Sequence, residues 1–244
     1  MQEKGLGDKF KFPENISYKQ FGIMLIVQLF DGFIFDIDGT LTSTNQLIFD
    51  SFNFIAKKYL NKSFTDEEII SMFGPTEDVI LKKWCGDRYE EARKDYYAYY
   101  SDNHSKAELY AGIKEILEQL KRYNYPIGIF TGKGREASLI TLRKLGVVHY
   151  FDLIVTGDDV VNHKPSAEGI LKFVNHFKLN KERVLMIGDS AGDVKASKEA
   201  GIKVASVLWD SYAKEKVKTL QSDYYFHSVE ELGEFLYRLN QKLR

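Results

Sequence analysis

Two aspartates one residue apart, in Asp36-Ile37-Asp38-Gly39-Thr40, are the first positions in this chain whose types and spacing suit chemistry. Alternation along an extended strand end sets both carboxylates on one side, and Gly39 lets the chain turn sharply behind them. In such a pair one acid can attack an electrophile while the other handles protons. Farther along come Thr131-Gly132-Lys133-Gly134, a hydroxyl followed by glycines whose open amides suit an oxyanion. Lys164-Pro165 puts a cation on a loop, and Gly188-Asp189-Ser190 is followed by Asp193, four residues beyond Asp189.

The elements that must position these residues are read from hydrophobic runs. Short apolar runs at 32–36, 127–131, 153–156, 184–189 and 204–208 read as buried strands. Helical patterns at 113–123, 135–145, 167–177 and 193–200 fall between them. Strands alternating with helices of that length predict an α/β fold, a doubly wound parallel sheet covered on both faces. Every candidate residue then stands at the carboxyl end of a strand, or on the loop or helix start beyond it, where open α/β sheets hold their ligands. The alternation breaks over 44–110, which offers no good strand and four helical stretches at 48–60, 66–73, 77–84 and 89–102. Thr65 with Glu68 reads as a capping box, and Gly74-Pro75 and Gly86-Asp87 as stops. The expected organisation is an N-terminal extension over 1–23, a catalytic core built from 24–43 and 111–244, and a small all-helical domain over 44–110 inserted after the first core strand. A closing amphipathic helix is expected over 229–243. The cluster Tyr96, Tyr97, Tyr99 and Tyr100 reads as ordinary helix packing, and the histidines, Trp84 and Cys85 as structural.

This ordered set closely resembles the haloacid dehalogenase-like superfamily across about residues 30–210. Ala196, Ala200 and Gly201 follow its pattern downstream of the last motif, and one branch of the superfamily carries a helical cap where the insert lies here. The segment Phe73-Gly74-Pro75-Thr76 looks like the cap loop of phosphoglycolate phosphatases and related pyrophosphatases. The resemblance implies a phosphatase in which Asp36 is the nucleophile that forms an aspartyl-phosphate, and Asp38 the general acid and then general base. Like charges at ~4 Å repel by roughly 4 kcal/mol at an effective dielectric constant near 20, so a phosphate approaching these acids requires a cation. Mg2+ suits the oxygen donors of Asp36 and Asp189. By resemblance the Asp38 main-chain carbonyl joins them, with Asp193 at or just outside the metal shell. Lys164 then offsets charge on nucleophile and phosphate together, and Thr131 with the Gly132 amide region holds phosphoryl oxygens. Asp38 also argues against carbon–halogen hydrolysis, because the dehalogenase branch lacks an acid there. The alternative reading is a phosphosugar mutase of the β-phosphoglucomutase type. A scaffold on an inactivated fold is disfavoured by the presence of every acid.

The 244 residues can bury a sizeable core, and 44% apolar with 28% charged residues describes an ordinary globular protein. A formal net charge of −1, from 34 basic and 35 acidic residues, supplies no field to hold nucleic acid or an anionic membrane. The expected partner is a small-molecule phosphate ester, met by a monomer or homodimer. The apolar stretch 23–30 is about half a membrane span and is closed by Asp31, so no membrane segment or signal peptide is expected. The lone Cys85 cannot form an internal disulfide, which fits a cytoplasmic protein.

Overall fold

The structure, a computed structural model, describes residues 29–210 and 214–241. The expected extension over 1–23 lies outside the described residues, as do 24–28 of the core and 242–243 of the last helix. In chain order the elements are β1 (Gly32–Phe35), β2 (Thr42–Ser43), α1 (Asn45–Ile55), α2 (Asp66–Ser71), α3 (Glu77–Cys85), α4 (Tyr89–Asp102) and β3 (Glu108–Leu109). Then come α5 (Ile113–Arg122), β4 (Ile127–Phe130), α6 (Arg135–Lys144), β5 (Leu153–Val155), α7 (Glu168–Phe177), β6 (Val184–Gly188) and α8 (Ala191–Ala200). The described chain closes with β7 (Lys203–Val207), α9 (Lys214–Lys218), β8 (Tyr224–Phe226) and α10 (Val229–Gln241).

Six strands form one parallel sheet in the order β5-β4-β1-β6-β7-β8. From β1 the chain builds outward to β4 and β5 on one side, then returns to add β6, β7 and β8 on the other. The order therefore reverses at β1, and the crevice of a doubly wound sheet opens beyond the carboxyl ends of β1 and its neighbours. The inner strands are apolar throughout because both faces are covered. Phe33, Phe35, Leu185 and Ile187 pack with α5 and α10 on one face, while Ile34, Met186 and Val204 pack with α7 and α8 on the other. Each such side chain contributes roughly 1.5–3 kcal/mol by leaving water. Helix α5 shows the matching pattern, with Ile113, Ile116, Leu117 and Leu120 buried along one stripe.

Helices α1 to α4 build a separate hydrophobic cluster around Leu47, Phe52, Ile69, Leu81, Tyr96 and Tyr100, which Ala137 of α6 joins from the sheet side. The capping box at Thr65 and Glu68 forms as expected: the Thr65 hydroxyl accepts from the Glu68 amide at 3.3 Å, and the Glu68 carboxylate accepts from the Thr65 amide at 2.7 Å. Tyr96, Tyr97 and Tyr100 are buried and Tyr99 stacks on Phe54 at 4.5 Å, so the tyrosine cluster is packing. The first helix begins three residues earlier than its apolar pattern suggested, and its last turn, 56–60, widens into a π-helix closed by Asn61 at φ +53°. The expectation of no strand over 44–110 is corrected by β3, which pairs antiparallel with β2 through Thr42 with Leu109 and Ser43 with Glu108. Strand β8 and helix α9 are likewise additions, and α8 begins at Ala191 rather than Asp193 because Ser190 caps it.

Candidate active site

Asp36 follows β1 directly and donates its amide to the Ile187 carbonyl at 2.9 Å, which fixes the strand end against β6. The chain then folds back on itself: the amides of Leu41 and Thr42 both donate to the Ile37 carbonyl, and that of Gly39 to the Thr42 carbonyl. Gly39 sits at φ +75°, and a Cβ there would stand 2.5 Å from Asp189 Oδ2, so both conformation and space demand glycine. Asp189 follows β6 and accepts from the Thr40 hydroxyl at 3.3 Å. Asp193 is the third residue of α8, with no exposed surface. Its Oδ2 accepts from the Ser190 amide at 3.0 Å and hydroxyl at 2.6 Å, completing a capping box that turns the carboxylate back toward Asp189.

Carboxylate oxygens of Asp36, Asp189 and Asp193 lie within 4.8 Å of one another. Lys164 Nζ stands 2.5 Å from Asp193 and 3.2 Å from Asp36 Oδ1, over the Phe130 ring. The Asp36 Oδ1 atom is buried and accepts no hydrogen bond. Burial pushes the Asp36 carboxyl up to about 6; Lys164 opposes that rise, while Asp193 and Asp38 add to it. Asp189 is driven well above the ordinary range by burial first and then by Asp36 and Asp193. Burial pulls the Lys164 ammonium down, but Asp193 and Asp36 outweigh it and leave it raised. Three hard oxygen donors, Asp36 and Asp193 buried and Asp189 half-buried, converge here with one ammonium against two of them, and such a donor set fits Mg2+.

Asp38 is held apart from this cluster. Its carboxylate accepts from the Thr44 hydroxyl, and Lys133 Nζ lies 3.2 and 3.3 Å from its two oxygens. The Lys133 side chain is only 2% exposed, lies 5.0 Å over the Tyr100 ring and reaches Glu77 at 3.9 Å. Burial lowers the Lys133 ammonium, yet Asp38, Tyr100 and Glu77 raise it overall. Glu77, the first residue of α3, is itself buried and accepts from the Gly134 amide at 2.7 Å. Its carboxyl is raised, by burial before all else, with Lys133 pulling the other way.

Thr131 follows β4, donates its amide to the Val155 carbonyl at 3.1 Å, and accepts from the Lys133 amide at 3.3 Å. Asp36, Asp38, Thr131, Gly132, Lys164 and Asp189 all line one cavity of about 410 Å³, while Asp193 lies behind it. Every residue singled out from the sequence is thus gathered at one sheet end. Sequence reasoning missed Thr44, Glu77 and Lys133. Lys133 was in plain view in Phe-Thr-Gly-Lys, but nothing local marks Glu77 or Thr44 as its neighbours. Lys82, Lys83 and Arg88 are exposed, and none lines the cavity.

The model of the haloacid dehalogenase-like hydrolases matches residues 33–207, which takes in both strand-end acid motifs and the helices between them. The chain belongs to the haloacid dehalogenase-like hydrolase family. Among relatives, it is 32% identical over 200 residues to the pyrophosphatase PpaX of Halalkalibacterium halodurans, covering 82% of this chain and 93% of that one. It is 30% identical over 209 residues to the pyrophosphatase PpaX of Bacillus cereus, covering 85% and 97%. The crystal structure of a predicted phosphoglycolate phosphatase from Haemophilus somnus superposes with a TM-score of 0.76 at 22% identity, over 86% of this chain and 98% of that one. At that identity the likeness concerns the fold, and it includes the parallel sheet and the helices packed above it. Among the described residues of this haloacid dehalogenase-like hydrolase, no helix is long and apolar enough to cross a membrane.

Proposed function

We propose that the chain is a magnesium-dependent phosphatase that hydrolyses a small-molecule phosphate ester through an aspartyl-phosphate on Asp36. The observation that carries this reading is that one cavity holds two acids in opposite ways: Asp36 clustered with Asp189, Asp193 and Lys164, and Asp38 drawn away onto Lys133 and Thr44. The Asp36 carboxylate attacks phosphorus, and the Asp36 O–P bond forms as the bond from phosphorus to the leaving oxygen breaks. Asp38 gives its proton to that departing oxygen. In the second half Asp38 takes a proton from water, the water oxygen attacks phosphorus, and the bond to Asp36 breaks to free phosphate and restore the carboxylate. Magnesium, when bound by Asp36, Asp189 and Asp193 with the Asp38 main-chain carbonyl as a further oxygen, supplies positive charge against these carboxylates and the phosphoryl oxygens. Lys164 neutralises part of the charge on Asp36 and Asp193, and Thr131 and Gly132 hold the transferring group.

Family membership and the pyrophosphatase names of the relatives support phosphorus as the electrophile. Residues 44–110 act as a cap over a core of 24–43 and 111–244, excluding water during the transfer. A lone Cys85 fits work in the reducing cytoplasm. Phosphate release from a panel of esters, with magnesium and with excess chelator, tests the proposal. Magnesium-dependent release is expected, and release that persists without any divalent ion, or fails with every ester, refutes it. Glucose 1-phosphate in the panel separates hydrolysis from a phosphosugar mutase, which would return an isomer in place of free phosphate.

A further inference from the structure

The cavity has two chemically different walls. The sheet-end wall carries Asp36, Asp38 and Asp189 with Lys133 and Lys164. The facing wall, from α1, α2, α3 and the loop between α2 and α3, presents Ile48, Phe52, Ile70, Phe73 and Ile80, with Asn45 and Glu77 as its polar side chains. Among the described residues no arginine or histidine lines this space. Both lysines are already engaged by carboxylates, Lys164 by Asp36 and Asp193, Lys133 by Asp38 and Glu77.

With phosphorus held beside Asp36, the leaving group must extend toward the apolar wall. A second phosphate or a carboxylate there would lose its water against aliphatic and aromatic side chains and approach the Glu77 carboxylate, with the Lys133 ammonium already shared between Asp38 and Glu77. A buried charge without a partner is costly, and like charges add to that cost. A sugar fares little better, since its hydroxyls would have few groups to bond and each unpaired one carries a penalty. Building on the phosphatase reading above, we infer that the substrate is the phosphate monoester of an uncharged, largely apolar alcohol, and is neither pyrophosphate nor a phosphorylated hydroxy acid.

Isobutyl phosphate and phosphoglycolate make a matched test, because an isopropyl group in one occupies the space of the carboxylate in the other. The expected result is a kcat/KM at least about tenfold higher for isobutyl phosphate, with pyrophosphate below both. The Ile70→Arg variant, which adds a cation to the apolar wall, should narrow or reverse that preference. Equal or faster turnover of phosphoglycolate or pyrophosphate by the unaltered protein overturns the inference while leaving the phosphatase reading intact. Calorimetric binding to Asp36→Asn with magnesium decides the matter independently of turnover. Tighter binding of isobutyl phosphate supports the inference, and equal or tighter binding of phosphoglycolate overturns it, even if no ester is hydrolysed and the phosphatase reading has failed.

Discussion

Replacing Lys133 by methionine keeps the length and bulk of the side chain while deleting a charge that two carboxylates share. With Nζ 3.2 Å from Asp38 and 3.9 Å from Glu77, the two attractions are each on the order of 4–5 kcal/mol at an effective dielectric constant near 20. Much of this is offset in the intact protein by the cost of taking three charges out of water. The variant keeps most of that cost and loses the attraction, and stranding a buried charge in this way typically costs about 3–5 kcal/mol. For a chain of this length, each kcal/mol lowers the melting temperature by about 2–4 °C, so Lys133→Met should melt roughly 6–20 °C lower. Circular dichroism melts of Lys133→Met beside the exposed Lys83→Met provide the comparison, the latter staying within ~0.5 kcal/mol of the parent. Adding Glu77→Gln removes one stranded charge, so the double variant should recover about 0.5–3 kcal/mol relative to the sum of the single changes. A melting temperature for Lys133→Met that matches Lys83→Met, or strict additivity in the double variant, would refute this account of the cluster.

Asp36→Asn should reduce phosphate release to background with the fold retained by circular dichroism, whereas Asp38→Asn should lower kcat by about 10²–10⁴-fold; near-parental turnover in the first removes Asp36 as nucleophile. Asp36 has its folded-state value raised from 3.8 to about 6, so the folded metal-free protein binds more protons than the unfolded chain between those values, and stability from this group is lost as pH rises through that window. Magnesium requires the ionised carboxylates, so its stabilisation in thermal shift should be larger at pH 7.5 than at pH 5, and an equal shift at both argues against these ligands. Gly39→Ala forces a side chain into the left-handed region, at about 1–2 kcal/mol, and against Asp189, so the magnesium-induced thermal shift should shrink along with activity.

The inner strands were legible in the sequence because burial on both faces leaves continuous apolar runs, as in Phe33-Ile34-Phe35 and Val184 to Ile187. Strand β8 escaped notice because it is three residues long at the sheet edge, with Tyr224 and Tyr225 only half-buried. The pairing of β2 with β3 is two residues on each side, too short to show any period. Helix starts shifted where polar residues such as Asn45 and Gln46 lead the first turn and hide it from an apolar pattern. The acids of the site could be found because each follows a strand in a compact motif. The Lys133, Asp38 and Glu77 cluster could not, since its members come from three separate segments that only the folded chain brings within reach.

The chain passes between the sheet and the four helices twice, and the two passages are zipped together as β2 and β3. The pairing ties the two passages into one ribbon, so that a tilt of the helices would move both together. Asp38 stands at the root of that ribbon, bridged to Thr42 and bonded to the hydroxyl of Thr44 just before α1. On the phosphatase reading proposed above, a movement of the helices would carry Asp38 with it through Thr42 and Thr44, so that access to the cavity and the aim of the proposed acid would change together.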